Sequence, residues 1–318
     1  MPEDTNLDRA IYDALMNLFP GLGIGIPIGV GNVFWVDSVA GDNGNVGTRP
    51  DQAFATIIYA LTQCTNNNND YIMVIRSAEE AATITVGVSR VHIIGLGNFF
   101  RPNSNHPYVE LSAGGDWAIF TLTDDSDNCE IAGFSLGGGA TAAGIQNLAG
   151  TPEGIHIHDC VFGHAFIADT PQDGIFIDLN ATNIRIEHCT FLGIPGGKGT
   201  ITRDGIRWDS GANPLNGAIE NNQLKGLPGI AINFVALLND TGGITIKDNL
   251  IVMEDGYAVG DAINLAATVR GFMVVGNKAM YGQATAAMVN NPYLDSCIAA
   301  PFNSWGQNSK GNVLVDPA

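Results

Sequence analysis

The sequence predicts an all-β fold, a right-handed parallel β-helix in which three-strand coils stack into a solenoid, and three observations predict it. Two short patterns recur through the chain with a shared period near thirty residues. Around the recurrences apolar and polar residues alternate, as in Ile155-His156-Ile157 and Ile184-Arg185-Ile186, which is the period of a strand with one buried face. The same place in successive repeats carries Cys160, Cys189, Asn222, Asn249 and Asn277, which reads as one stacked column.

The first pattern is an apolar residue, any residue, a turn residue, then a small or amide residue. It begins at Ile93, Ile131, Ile157, Ile186, Ile219, Ile246 and Val274, with steps of 38, 26, 29, 33, 27 and 28. The second is Gly or Ala before an apolar residue, ending at Ile119, Ile145, Ile175, Ile206, Ile230, Ile263 and Met288, with steps of 26, 30, 31, 24, 33 and 25. Two interleaved registers with one period mean at least two strands per coil. Coils stacked about 4.8 Å apart pair each strand with its equivalent in the next, so the sheets are parallel. A buried Asn column is tolerable in such a stack because each amide can donate to the next carbonyl.

Residues 5–19 are expected to form a short amphipathic helix with Leu7, Ile11, Leu15, Leu18 and Phe19 on one side. The Gly/Ile-rich stretch to Gly31 is too apolar for a solvated linker, so 1–32 is read as an attachment arm. A strand at Val33–Asp37, a helix from Gln52 to Cys64 and a strand at Tyr71–Ile75 make 33–87 an N-terminal cap and first coil. Ala53, Ile57, Ala60 and Leu61 of that helix should face the core and cover the open end of the solenoid. Coils then fill 88–292. The segment 293–318, with Cys297, Phe302 and Trp305, is read as breaking the repeat and closing the column.

Composition narrows the partners. Lys+Arg number 14 and Asp+Glu 32, a net charge of −18, which disfavours nucleic acid, anionic membrane surfaces and acidic polysaccharide as direct partners. The five cysteines form no CxxC pair and are expected to stay reduced. No apolar run approaches a membrane span and no basic-then-apolar leader is found, so synthesis in a host cytoplasm is expected.

The opening Val33-Phe34-Trp35-Val36-Asp37, Gly41-Asp42-Asn43-Gly44, Gly47-Thr48 and Ala53-Phe54-Ala55-Thr56-Ile57 resembles the start of pectate-lyase-like β-helix proteins, including many encoded by phages. Val91-His92-Ile93-Ile94-Gly95-Leu96-Gly97 followed by Arg101-Pro102 is similar to the first coil of those phage proteins. The likeness spans roughly 33–290 and implies fold more than activity, since the superfamily holds lyases, glycosidases, tailspikes and non-enzymatic capsid spikes.

Two clusters are candidates for chemistry. Asp173-Gly174-Ile175-Phe176-Ile177-Asp178 and Asp204-Gly205-Ile206-Arg207-Trp208-Asp209 are offset by 31 residues, one coil. Asp178 and Asp209 should therefore stand about 5 Å apart, near the carboxylate separation of a retaining glycosidase. Against this, Asp is favoured at strand ends for its bonds to turn backbone. The Gly-His-Gly and Arg-Ile-Lys sequences of the polygalacturonase type are not found, and no Arg or Lys cluster is expected beside the acids. No catalytic residue is assigned. His156 and His158 should point outward beside Arg185 and Glu187; a His-x-His metal site is weighed there, but a solvated polar face with no metal and no cofactor is the expectation.

The resemblance and the arm imply a virion protein at the capsid surface: a capsid decoration, cement or head-spike protein bound to the major capsid protein. A homotrimer follows from the family, with outward apolar positions Phe176, Val235 and Leu237. The other reading is a tailspike or tail-fibre protein that binds or depolymerises a host surface glycan, with Asp178 and Asp209 as its acid and nucleophile.

Overall fold

A computed structural model of the chain describes residues 31–76, 78–97, 108–148, 150–163, 170–193, 200–209, 215–235, 242–253, 261–266, 268–281, 292–296, 303–310 and 313–314. The chain divides into two units, Met1–Gly31 and Asn32–Ala318. The second is a parallel β-solenoid with little helix. The attachment residues Leu7, Ile11, Leu15, Leu18 and Phe19 lie outside the described residues, as does Leu237.

Three sheets run the length of this unit, with ten, eight and ten strands. Sheet 1 begins with Val33–Asp37, Asp70–Arg76 and Val91–Gly95 and then takes every third strand, through Glu130–Ala132, His156–His158, Thr182–Glu187, Leu215–Glu220, Gly242–Lys247 and Met273–Val275 to Ser304–Gly306. Sheet 2 follows it around each coil, from Ala78–Glu80 to Val313–Leu314. Sheet 3 comprises Ile84–Val86, Phe120–Leu122, Ala143–Asn147, Asp173–Ile177, Ile206–Trp208, Ile232–Phe234, Ile263–Leu265 and Tyr293–Asp295. Neighbouring strands are parallel, except that Val313–Leu314 folds back antiparallel on Ser309–Lys310.

The first sequence pattern is the inward column of sheet 1. Phe34, Ile72, Ile93, Ile131, Ile157, Ile186, Ile219, Ile246, Val274 and Trp305 are register partners in turn. Its turn position is held in the left-handed region in every coil from Gly133 onward, at Asp159, His188, Asn221, Asp248, Gly276 and Gln307, with φ between 49° and 78°. Gly, Asn and Asp tolerate that backbone best, which is why they recur there.

The next residue is the polar ladder. Asn222 donates from both its backbone N and its Nδ2 to Asn249 Oδ1, each at 3.0 Å. Asn249 does the same to Asn277, and Asn277 to Asn308, a rung that the repeat reading stops short of. Each Nδ2 makes a second bond to a strand carbonyl, of Ile186, Ile219 and Ile246 respectively. The column is buried and satisfied, as the cost of an unpaired interior amide demands.

The second pattern reflects steric demand. A Cβ on Gly174 would lie 2.5 Å from the Phe191 ring and 2.6 Å from the Gly205 carbonyl oxygen, so glycine is required before the inward Ile175. Inside, aromatic rings stack down the column, Phe162 on Phe191 at 4.6 Å and Trp208 on Phe234 at 4.8 Å. Cys64, Cys129, Cys160 and Cys189 are free thiols, and burial pushes the Cys129 thiol up to about 12.

Several expectations are corrected. The inward column of sheet 3 runs Phe120, Ile145, Ile175, Ile206, Ile232, Ile263, Tyr293, so Ile119 and Ile230 are misassigned, and Met288 lies outside the described residues. Ile230 instead places its backbone N–H on the Asp204 carboxylate, 2.7 Å away. The repeat does not break at 293: Tyr293–Asp295, Ser304–Gly306 and Ser309–Lys310 extend all three sheets. Tyr293 fills an Ile site because its hydroxyl, deep in the core, reaches the carbonyls of Asn277 and Ser309. The expected helix 52–64 is shorter. Pro50–Gln52 is a 3-10 turn, Phe54 pairs with Val36 in extended backbone, and the helix is Ile57–Gln63, capped by the Thr56 hydroxyl on the N–H of Tyr59. Ala53, Ile57, Ala60 and Leu61 are buried as expected.

Candidate functional site

The acids singled out from the sequence border the outward face of sheet 3. Thr121, Gln146, Phe176, Arg207, Asn233, Asn264 and Leu294 are register partners along that face. Ile177 pairs with Trp208, so Asp178 and Asp209 follow paired residues on adjacent coils, as their 31-residue offset predicts. Their backbone N–H groups continue the ladder, to Asn147 and Ile177 respectively.

The structure also supplies what the sequence reading discounted, an arginine pair beside the acids. Arg207 bridges Asp204 and Asp209, with N–O distances of 2.9 Å to each. Arg203 grips Asp173 with both Nε and Nη2, and its guanidinium lies over the Phe176 ring, 5.7 Å from the centroid. The signal was present: Arg207 sits three residues after Asp204 and two before Asp209, where an extended strand brings it to both.

Asp173 and Asp204 are buried and act as connectors between coils. Asp173 accepts from the Asp204 backbone N–H at 3.1 Å; Asp204 accepts from Ile230 N–H and from Asn233 Nδ2 at 2.8 Å. Burial pushes the Asp173 carboxyl above its ordinary value against the pull of Arg203. Burial works the other way on Arg207, yet Asp209 and Asp204 hold it above its ordinary range. Charge-assisted bonds to Arg203 and Arg207 and the backbone and amide bonds across coils make these acids braces of the stack.

The outward face of sheet 1 holds the second cluster. His156 pairs in register with Arg185 and His158 with Glu187, as expected. The side chains bond diagonally: His158 Nε2 to Glu130 Oε1 at 2.6 Å and His156 Nε2 to Glu187 Oε1 at 2.7 Å. His158 Nδ1 contacts Asp159 Oδ2 at 2.7 Å, and His92 Nδ1 holds the second oxygen of Glu130 at 2.5 Å. His92 in turn stacks on Tyr71 at 4.3 Å.

This is not the fully solvated face expected. The side chains of His158, Glu130 and Glu187 are only 17%, 22% and 12% exposed. Burial disfavours charge on both Glu130 and His158, but their mutual bonds prevail, with help from His92 and Asp159. Glu130 falls to about 2 and His158 rises to about 10. His156 goes the other way, lowered by burial and by the nearby His158 charge.

No family model and no curated protein sequence matches the chain. Solved structures resemble it. A rhamnogalacturonan lyase is 14% identical over 79% of this chain and 74% of its own, with a TM-score of 0.42. ORF18 of Geobacillus virus E2 is 11% identical over 93% of this chain and 63% of its own, with a TM-score of 0.39. The Dettilon tailspike protein is 9% identical over 79% and 63%, with a TM-score of 0.30. The fold rests on the strand ladders themselves. Among the described residues no helix is long and apolar enough to cross a membrane.

Proposed function

We propose that the chain is a bacteriophage virion protein with a structural role, a rigid β-helix body displayed on the capsid surface as a decoration, cement or head-spike protein. The observation that carries this reading is the engagement of the sheet 3 acids: Arg203 holds Asp173 and Arg207 holds Asp204 and Asp209, while Asp173 and Asp204 also bond across to the adjacent coil. A retaining hydrolase needs one carboxyl that gives up a proton and another free to approach a sugar carbon. The resemblance of the opening segment to phage β-helix proteins supplies the virion context. In this reading residues 1–32, with Leu7, Ile11, Leu15, Leu18 and Phe19, attach a homotrimer to the major capsid protein. Immunogold labelling of virions tests it: many copies over the head, lost when 1–32 is deleted, are expected. A few copies confined to the tail overturn it.

A tailspike that binds or cleaves a host polysaccharide is the second reading, and Phe176 favours it. That ring is half-buried under Arg203 beside Gln146 and Arg207, an apolar plate with polar neighbours of the kind a sugar ring stacks on. Host glycan cleavage by the purified chain that disappears in Asp209→Asn is the result this reading requires.

A further inference from the structure

Glu130, His156 and His158 have no part in the proposed function, yet they are built as a ligand set. We propose that they bind one divalent transition-metal cation of the zinc class on the outward face of sheet 1, clamping adjacent coils. One donor atom from each lies within 4.8 Å of the others. Bonds of about 2.0–2.1 Å to a tetrahedral cation place donors roughly 3.3 Å apart, so the 2.6 Å contact of His158 Nε2 with Glu130 Oε1 opens slightly as His156 comes in, an adjustment that side-chain rotation can supply. The backbone fixes the triangle, because Glu130 and His156 are register partners on neighbouring strands and His158 is the next outward residue on the same strand.

The donors are also oriented from behind. Asp159 takes Nδ1 of His158 and leaves Nε2 facing Glu130; His92 holds one Glu130 oxygen and leaves the other; Glu187 fixes the His156 ring. Metal-bound imidazoles are characteristically held by such outer carboxylates. Two nitrogens and one carboxylate oxygen suit zinc and its first-row neighbours, whereas calcium and magnesium take oxygen ligands. With neutral imidazoles, Glu130, Asp159 and Glu187 face one guanidinium, that of Arg185, whose charge Glu220 shares at 3.7 Å. The surplus is negative and favours a dication.

The cation enters between His158 Nε2 and Glu130 Oε1, now in contact at 2.6 Å, and any proton shared in that contact leaves to solvent as the nitrogen and the oxygen bond the metal.

The test is titration of the EDTA-stripped full chain with Co²⁺ and Zn²⁺, read by calorimetry and by the Co²⁺ visible spectrum. One cation per chain is expected, with the intense bands of a low-coordinate nitrogen–oxygen site, proton release on binding, and a raised melting temperature. His158→Gln and Glu130→Gln should weaken binding at least 10-fold, and Asp159→Asn by about 10- to 100-fold. His188→Gln, exposed and outside the donor set, should leave it unchanged. Failure of the wild-type chain to take up one equivalent overturns the proposal. So does equal binding by folded His158→Gln, or loss in His188→Gln. Should a ligand variant misfold, the wild-type cobalt spectrum and proton release still decide, since a six-coordinate aquo-like spectrum without proton release contradicts the site.

Discussion

Two polar stacks lie along sheet 1, one outside its earlier strands from His92 to Glu187 and one inside at the turns after its later strands from Asn222 to Asn308, and they are built on opposite rules. Inside, Asn222, Asn249, Asn277 and Asn308 repeat one residue, because an amide is donor and acceptor at once and like can bond to like. Outside, bases flank acids, His92 and His158 on Glu130 and His156 and Arg185 on Glu187, because a carboxylate only accepts and a charged imidazole only donates. The inner stack specifies register and is buried throughout. The outer one is half-buried, so its bonds are shared with solvent and with pH.

The comparison breaks most visibly at Asn249. Asn249→Ala leaves the buried backbone N–H of Asn222 without its acceptor, takes one of the two Nδ2 bonds of Asn222 and removes Asn249's own bonds, and should cost about 3 kcal/mol, read as a fall in the denaturant midpoint. Glu130→Gln removes the acid that two imidazoles share, but the site is partly wet, so about 1 kcal/mol is expected in the same assay.

Changing pH should sharpen the contrast without mutation. His158 is raised from 6.5 to about 10 in the fold, so its contribution is full below pH 6.5 and is lost as pH rises through about 10. Glu130 is depressed from 4.5 to about 2, so its contribution is full above pH 4.5 and is lost as pH falls through about 2. Together they place the outer stack's greatest support between about pH 4.5 and 6.5, and the melting temperature of His158→Gln should lose the decline on the alkaline side. The smallest effect is at Arg185, whose side chain is half exposed: Arg185→Ala should change stability by no more than about 0.5 kcal/mol.

The same contrast explains what was legible in the sequence. Repetition exposes itself, so the Ile column of sheet 1, the left-handed turn and the Asn ladder could be read from spacing alone. Where a position's demand is steric rather than chemical, the reading slipped. The small-then-apolar pattern occurs by chance at Gly229-Ile230, while the true column uses Ile232, and Tyr293 conceals an Ile site behind a polar atom. The offset of Asp178 and Asp209 was readable for the same reason as the ladder. Arg207's bridge lay in the local spacing of one strand and was passed over, whereas the diagonal from His158 to Glu130 was not readable, because it depends on the lateral offset between rungs rather than on the period.

The most direct test of the outer stack as a locked acid–base column is a pH titration of its imidazoles by NMR on the EDTA-treated chain, with His156→Gln and His158→Gln used for assignment. His158 should stay protonated well past neutrality, towards pH 10, while His156 loses its proton below its ordinary 6.5. Both rings titrating together near 6.5 would contradict it, and would return this face to independent surface charges.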